Sequence, residues 1–202
     1  MISKLPNVTT SIFSVMSKMA ADHQALNLSQ GFPNFESDPL LIELVNKAMK
    51  DGFNQYAPMP GDIDLRAAIC EKVKLLHSCV YNIDKEITIT AGATQAIFSV
   101  LAALVKKDDE VLIFTPAYDC YEPTIELFGG KTRAVQLEAP FYKPNWEKVE
   151  DQINNHTKLI IINTPHNPSG AVFSKDDLLQ LQKLTEKYDL FVLSDEVYEH
   201  II

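Results

Sequence analysis

The chain has 202 residues, 46% hydrophobic and 22% charged, enough for one globular domain, or one with part of a second, and for a buried core. Lys and Arg number 18 against 27 Asp and Glu, a net charge of −9 with no basic cluster, which sets aside nucleic acid and anionic membrane surfaces as partners. The opening MISKLPNVTT has no apolar signal core, no apolar run nears the ~18 residues of a membrane span, and Cys70, Cys79 and Cys120 show neither an even count nor C-x-x-C spacing; a cytoplasmic protein with reduced core or wall cysteines is expected.

Ile12, Val15, Met16 and Met19 recur at i, i+3, i+4 and i+7, which predicts an amphipathic helix from Ser11 to Ala21. LNLSQGFPNFESDP follows, a loop broken by Gly31 and Pro33 that carries Phe32 and Phe35; taken by itself it reads first as a connection packed on a core. Asp38 and Pro39 supply an N-cap and a first-turn proline, Leu41, Leu44, Val45 and Ala48 line one face, and Gly52 marks the end of a second helix. NQYAPMPG, residues 54–61, is a turn stiffened by two prolines around Tyr56. A third helix is predicted from Asp64 to about Val80 by Leu65, Ile69, Val73 and Leu76.

The pattern then changes to EITIT, residues 86–90, a β-branched run predicted as a strand, followed by AGATQ and the helical spacing of Ile97, Val100, Leu101, Leu104 and Val105. Small residues ahead of a helix can aim backbone N–H groups at an anion, although a tight turn alone also requires them. Val111 to Phe114 is an apolar strand ending in TPAYDCYEPT, where Tyr118 and Tyr121 offer either a stacking surface or ordinary sheet-edge packing. A further strand is expected around 133–137, and a short helix near Trp146. Leu159 to Ile162 and Leu190 to Leu193 read as strands buried on both faces. Between these two strands, Ser174 and Asp177 form a capping pair for a helix whose Leu178, Leu181, Leu184 and Tyr188 share one face. This is a βαβ unit of a parallel sheet, whose crossover is expected to be right-handed.

In such sheets ligands bind beyond the carboxyl ends of the strands, so AGAT, PAYDCY, NTPHNPSG and SDEVYEH should converge. Together they offer an anion cradle, an aromatic plate, an amide (Asn167), a carboxylate (Asp195) and a phenol (Tyr198), a set suited to a phosphorylated planar ring with a protonated nitrogen and a hydroxyl. A carboxylate beside a pyridine nitrogen favours the pyridinium and makes the ring an electron sink. No G-x-G-x-x-G follows residues 86–90 and no G-x-S-x-G occurs, which argues against a dinucleotide site or a hydrolase elbow. His166, Asp195 and His200 lack a tight metal-ligand spacing.

In this order, SQGFPNF, NQYAPMPG, TAGATQA, TPAYDCY, NTPHNPSG and SDEVYEH resemble the class I/II pyridoxal-phosphate-dependent aminotransferases of fold type I, and among them the methionine, glutamine or kynurenine aminotransferase-like group. The resemblance covers essentially the whole chain. It implies an α/β large domain with a mostly parallel sheet and helices on both faces over residues 51–202, incomplete at its C-terminal end, and an N-terminal arm with part of a small domain over residues 1–50. It implies pyridoxal 5′-phosphate as cofactor, with Ala93 and Thr94 at the phosphate, Tyr118 stacked on the ring, Asn167 and Tyr198 at the ring hydroxyl, and Asp195 at the pyridine nitrogen. Gly31 and Asn167 would meet the substrate, and Tyr56 would reach the partner's cofactor across a homodimer.

Family members carry a Schiff-base lysine beyond the aspartate segment and, later, an arginine that clamps the substrate carboxylate. None of this chain's lysines has that context, and its only arginines, Arg66 and Arg133, lie early. The resemblance therefore implies the N-terminal half of an aminotransferase acting on an amino acid, methionine or another large uncharged or aromatic one, and a 2-oxo acid by a ping-pong mechanism. The lysine is expected beyond Ile202 and the half alone is expected to be inactive. Its rivals are a carbon–sulfur β-lyase on the same scaffold and a non-catalytic module with a vestigial site.

Overall fold

The structure, a computed structural model, describes residues 3–6, 8–31 and 35–201; the expectations for Phe32 and Pro33 fall outside this set. The chain's contacts divide it into two units, Thr10–Thr90, and Ala91–Ile202 with Met1–Thr9. No helix among the described residues is long and apolar enough to cross a membrane.

The first unit holds three helices, α1 (Ile12–Asp22), α2 (Pro39–Lys50) and α3 (Ile63–His77), each begun by a side-chain cap. Ser11 accepts from the Ser14 N–H, Asp38 from the Leu40 N–H ahead of Pro39, and Asp62 from the N–H groups of Asp64 and Leu65. Helix α3 stops at His77, short of Val80, because Ser78 turns left-handed at φ 56°. Its predicted apolar face is open at Leu65 and Leu76, and its buried residue is Arg66. The guanidinium of Arg66 donates to the carbonyls of Gly61 (3.2 Å) and Ile83 (2.5 Å), tying two loops together.

Residues 86–90 are not a strand. β-branched composition gives a segment an extended preference, but a strand exists only with a neighbour to share its ladder, and here the Ile89 N–H donates to the loop carbonyl of Pro60 at 2.8 Å. At Gly61, with φ +102°, a Cβ would lie 2.3 Å from Ile89 Cγ1, so this crossing of loops requires glycine.

The second unit opens with α4 (Ala93–Leu104) and then alternates strands and helices: β1 (Glu110–Thr115), α5 (Tyr121–Leu127), β2 (Lys131–Gln136), α6 (Trp146–Asp151), β3 (Thr157–Asn163), α7 (Lys175–Tyr188) and β4 (Phe191–Asp195). The four strands are parallel in the order β2-β1-β3-β4. Alternate side chains of β1 and β3 enter two separate cores. Val111, Ile113, Leu159 and Ile161 pack with Ile97 and Leu101 of α4 and Ile125 of α5. Leu112, Phe114, Ile160 and Ile162 pack with Val149 of α6 and Leu181 and Leu184 of α7. The period-2 alternation of a strand buried on both faces dictates this, and helices accordingly cover both faces of the sheet.

The capping box of α7 is complete: Ser174 accepts from the Asp177 N–H and Asp177 accepts from the Ser174 N–H. Leu178, expected on the core side of α7, is exposed, while Leu181 and Leu184 are buried in the core and Tyr188 packs against it. Helix α5 is not predicted from the sequence; it is short, contains Pro123 and has no side-chain cap. The cysteines are free, with Cys70 and Cys120 half-buried and Cys79 exposed, contrary to the wall position expected for Cys79. Residue 79 directly follows the left-handed turn that carries the chain off α3.

At the amino end of the strands lies a closed ion network. Glu110, buried, accepts from Arg133 Nε (2.8 Å) and Nη2 (2.7 Å) and from Asn154 Nδ2 (2.7 Å). The guanidinium fork beside it, aided by Asn154, pulls the carboxyl of Glu110 down to about 2.

Candidate functional site

From β1 the chain passes through α5 to β2 on one side of the sheet, while β3 lies on the other side. The crevice beyond the carboxyl ends of β1 and β3 is thus a topological switch point, the place where open α/β sheets hold ligands. A cavity of about 260 Å³ lies there, lined by Ala93, Thr94, Ile97, Tyr118, Asn163, Asn167, Asp195, Val197 and Tyr198. Six residues singled out by sequence, Ala93, Thr94, Tyr118, Asn167, Asp195 and Tyr198, are thereby brought together around one cavity. The other two, Gly31 and Tyr56, belong to the unit Thr10–Thr90, where both are exposed, Tyr56 completely.

Each lining group has a local reason for its position. Gly92, at φ 88°, starts α4 with no side-chain cap, and Ala93 and Thr94 form the first turn at the cavity mouth. A helix start of this kind presents backbone N–H groups and the positive end of the dipole to whatever fills the cavity. Tyr118 stands on the loop after β1, half-buried, and its ring meets that of Tyr121 edge-on at 6.0 Å. Asn163 and Asp195 are the last residues of β3 and β4 and are register partners. Asn163 Nδ2 donates to the Asp195 carbonyl (3.0 Å), and its Oδ1 accepts from the Asn167 N–H (2.7 Å). One buried amide thus fixes both the end of β4 and the loop that carries Asn167. The Asn167 Nδ2 donates to the Tyr198 hydroxyl at 3.2 Å, so these two polar tips share one corner of the cavity.

Behind this corner, His166 is buried, with Nδ1 2.7 Å from the Ser169 hydroxyl. Burial lowers its pKa from the ordinary imidazole range, against the opposing effect of its bond to the Pro116 backbone. The loop is closed by His166 N–H to Ala171 O (2.9 Å) and Gly170 N–H to His166 O (2.7 Å). Tyr121 lies against the carboxylate: its hydroxyl donates to Asp195 Oδ2 at 2.5 Å. Burial, and then this hydrogen bond, push the phenol well above the ordinary tyrosine range.

Sequence reasoning missed the role of Asn163 and the bond that ties Tyr121 to the carboxylate. Asn163 closes an apolar run as its single polar residue, a signal open to reading; the bond between Tyr121 and Asp195 joins residues 74 positions apart and has no local trace.

A parallel α/β sheet with helices on both faces and its cavity at the switch point is the arrangement of the fold-type I aminotransferases, whose solved structures it matches. The chain belongs to the aminotransferase class I and II family, whose model matches residues 23–202. It is 44% identical over 199 residues to a methionine aminotransferase of Escherichia coli (strain K12), covering 98% of this chain and 52% of that protein. Kynurenine–oxoglutarate transaminase 3 of Homo sapiens is 33% identical, with 98% of this chain and 46% of that protein covered. The structure of N-succinyldiaminopimelate aminotransferase from Mycobacterium tuberculosis superposes with a TM-score of 0.94 at 34% identity, over 99% of this chain and 53% of that one. The chain spans about half the length of the relatives it matches.

Proposed function

We propose that the whole protein is a pyridoxal-phosphate-dependent aminotransferase. It would move an amino group between methionine, or another large uncharged or aromatic amino acid, and a 2-oxo acid by a ping-pong mechanism. The observation that carries this reading is the cavity at the switch point, walled by a helix start with no side-chain cap, a tyrosine ring, an amide–phenol pair and a carboxylate. That donor set fits the cofactor group by group. The first-turn N–H groups at Ala93 and Thr94 suit a phosphate, Tyr118 suits a flat ring, Asn167 and Tyr198 suit a ring hydroxyl, and Asp195 suits a protonated ring nitrogen. When bound, the ring supplies an electron sink for a carbanion at the substrate α-carbon. The chain's own contribution is to orient that ring, keep Asp195 beside its nitrogen and keep the Asn167–Tyr198 corner in hydrogen-bonding reach.

The preference for methionine rests on the similarity to the Escherichia coli enzyme. In the same reading Gly31 meets the substrate carboxylate, Tyr56 reaches the second cofactor of a homodimer, and residues 1–50 serve as arm and part of a small domain ahead of the large domain over 51–202. The Schiff-base lysine is sought in the length of the relatives that this chain does not span.

The test is a titration of the purified chain with pyridoxal phosphate, followed by visible absorbance with and without borohydride. Binding that Asp195→Ala weakens about a hundredfold, as loss of a charge-assisted bond in a dry site would, and that leaves no adduct at a single lysine, supports the reading. Absence of binding in a folded sample, or binding indifferent to Asp195→Ala, overturns the assigned site.

A further inference from the structure

We infer that Tyr121 is a positioning residue for this site, its hydroxyl holding Asp195 by Oδ2 so that Oδ1 is the oxygen offered to a protonated ring nitrogen. The inference rests on the cofactor reading above and adds a residue to it. Three observations carry it. The Tyr121 hydroxyl donates to Asp195 Oδ2 at 2.5 Å, a short, charge-assisted contact, whereas Oδ1 has a long bond from the Val197 N–H, 3.3 Å. Tyr121 is 3% exposed in the core beneath α4 and α5, where a phenylalanine would satisfy packing alone; a buried hydroxyl is tolerated there because Asp195 accepts from it. The same ring meets Tyr118 edge-on at 6.0 Å and 71°, so one side chain braces the aromatic plate and the carboxylate of the cavity together.

The chemistry follows from geometry. A carboxylate free to rotate at the end of β4 would share its charge among water and several donors. One oxygen pinned by a phenol leaves the other in a fixed direction, and the ordering cost of meeting a ring N–H is met in advance. The phenol, pushed above the ordinary tyrosine range by burial and by the carboxylate, remains a donor across the usual working pH range.

The experiment compares two probes on the purified chain: pyridoxal phosphate, and its carbocyclic analogue with C–H in place of the ring nitrogen. Tyr121→Phe keeps the ring, its burial and its contact with Tyr118, and removes one oxygen. The expected result is a loss of roughly tenfold in affinity for pyridoxal phosphate, from one charge-assisted hydrogen bond, with the analogue changed less than about twofold. Equal losses for both probes would mean that Tyr121 merely packs, and no loss for either would mean that Asp195 is held without it; each overturns the inference and leaves the cofactor reading intact. If wild-type protein binds neither probe, or Asp195→Ala binds as wild type does, both proposals fall together. Should Tyr121→Phe fail to fold, Asp195→Ala is compared with the double variant Tyr121→Phe/Asp195→Ala, which leaves neither partner unsatisfied. Equal affinity of these two for pyridoxal phosphate supports the positioning role, and a further loss overturns it.

Discussion

The two ends of the strands place their charges differently. At the amino end, Arg133 and Asn154 both donate to Glu110, whose carboxylate is buried with both oxygens engaged. At the carboxyl end, Asp195 accepts from Tyr121 on one oxygen, has a long bond from the Val197 N–H on the other and lines a cavity, and Asn167 and Tyr198 touch each other while lining the same space. A satisfied network contributes to holding the fold; a half-satisfied one stands ready for a ligand. The same sheet carries both, and its two ends should therefore respond to mutation in opposite ways.

The largest effect should come from the closed end. Glu110→Ala leaves the Arg133 guanidinium and Asn154 without their acceptor; because Arg133 is half exposed, the loss of stability is expected at about 2–3 kcal/mol, below the range for fully buried pairs. Urea unfolding followed by Trp146 emission measures this, and cofactor affinity of the folded fraction should stay at the wild-type value. A large change in affinity with little change in stability would erase the contrast between the two ends. The same carboxylate sets an acid response. Its folded pKa of about 2 lies below its ordinary 4.5, so its contribution is fully present above pH ~4.5 and is lost as pH falls toward 2. Urea midpoints across that window should decline in the wild type and decline less in Glu110→Gln.

Asn163→Ala probes the open end from beneath. It removes the bonds to the Asp195 carbonyl and the Asn167 N–H, with an expected cost of about 1–2 kcal/mol. Unlike the Glu110 variants, it should also weaken cofactor binding, since both groups it ties belong to the cavity. The smallest effect is expected from Ser174→Ala, which breaks the capping box of α7 and removes no group that lines the cavity or touches Glu110. About 1 kcal/mol in stability and none in affinity is the expected pattern, read by the same unfolding and titration curves.

What the sequence disclosed follows the range of the forces involved. The caps at Asp38 and Ser174 and the apolar runs of β1 and β3 are local, and local spacing reveals them. Six site residues were singled out by their motifs, and all six line one cavity. Residues 86–90 looked like a strand because EITIT has the composition of one, but pairing is a property of two segments and composition belongs to one. Helix α5 escaped notice because seven residues with an internal proline carry too little period. Tyr121 holding Asp195 escaped for the opposite reason, a long-range contact between two individually ordinary residues.

The alternation along β1 and β3 has one more consequence. Odd and even positions feed different helix layers, so the packing beneath the cavity, against α4 and α5, shares no side chain with the packing against α6 and α7. The backbone ladder between them acts as a bulkhead. Sequence drift in α6 and α7 can accumulate on its own side of it, and a lineage can remodel that outer layer, lengthen its loops or recruit its surface to new uses while the cavity side keeps its shape.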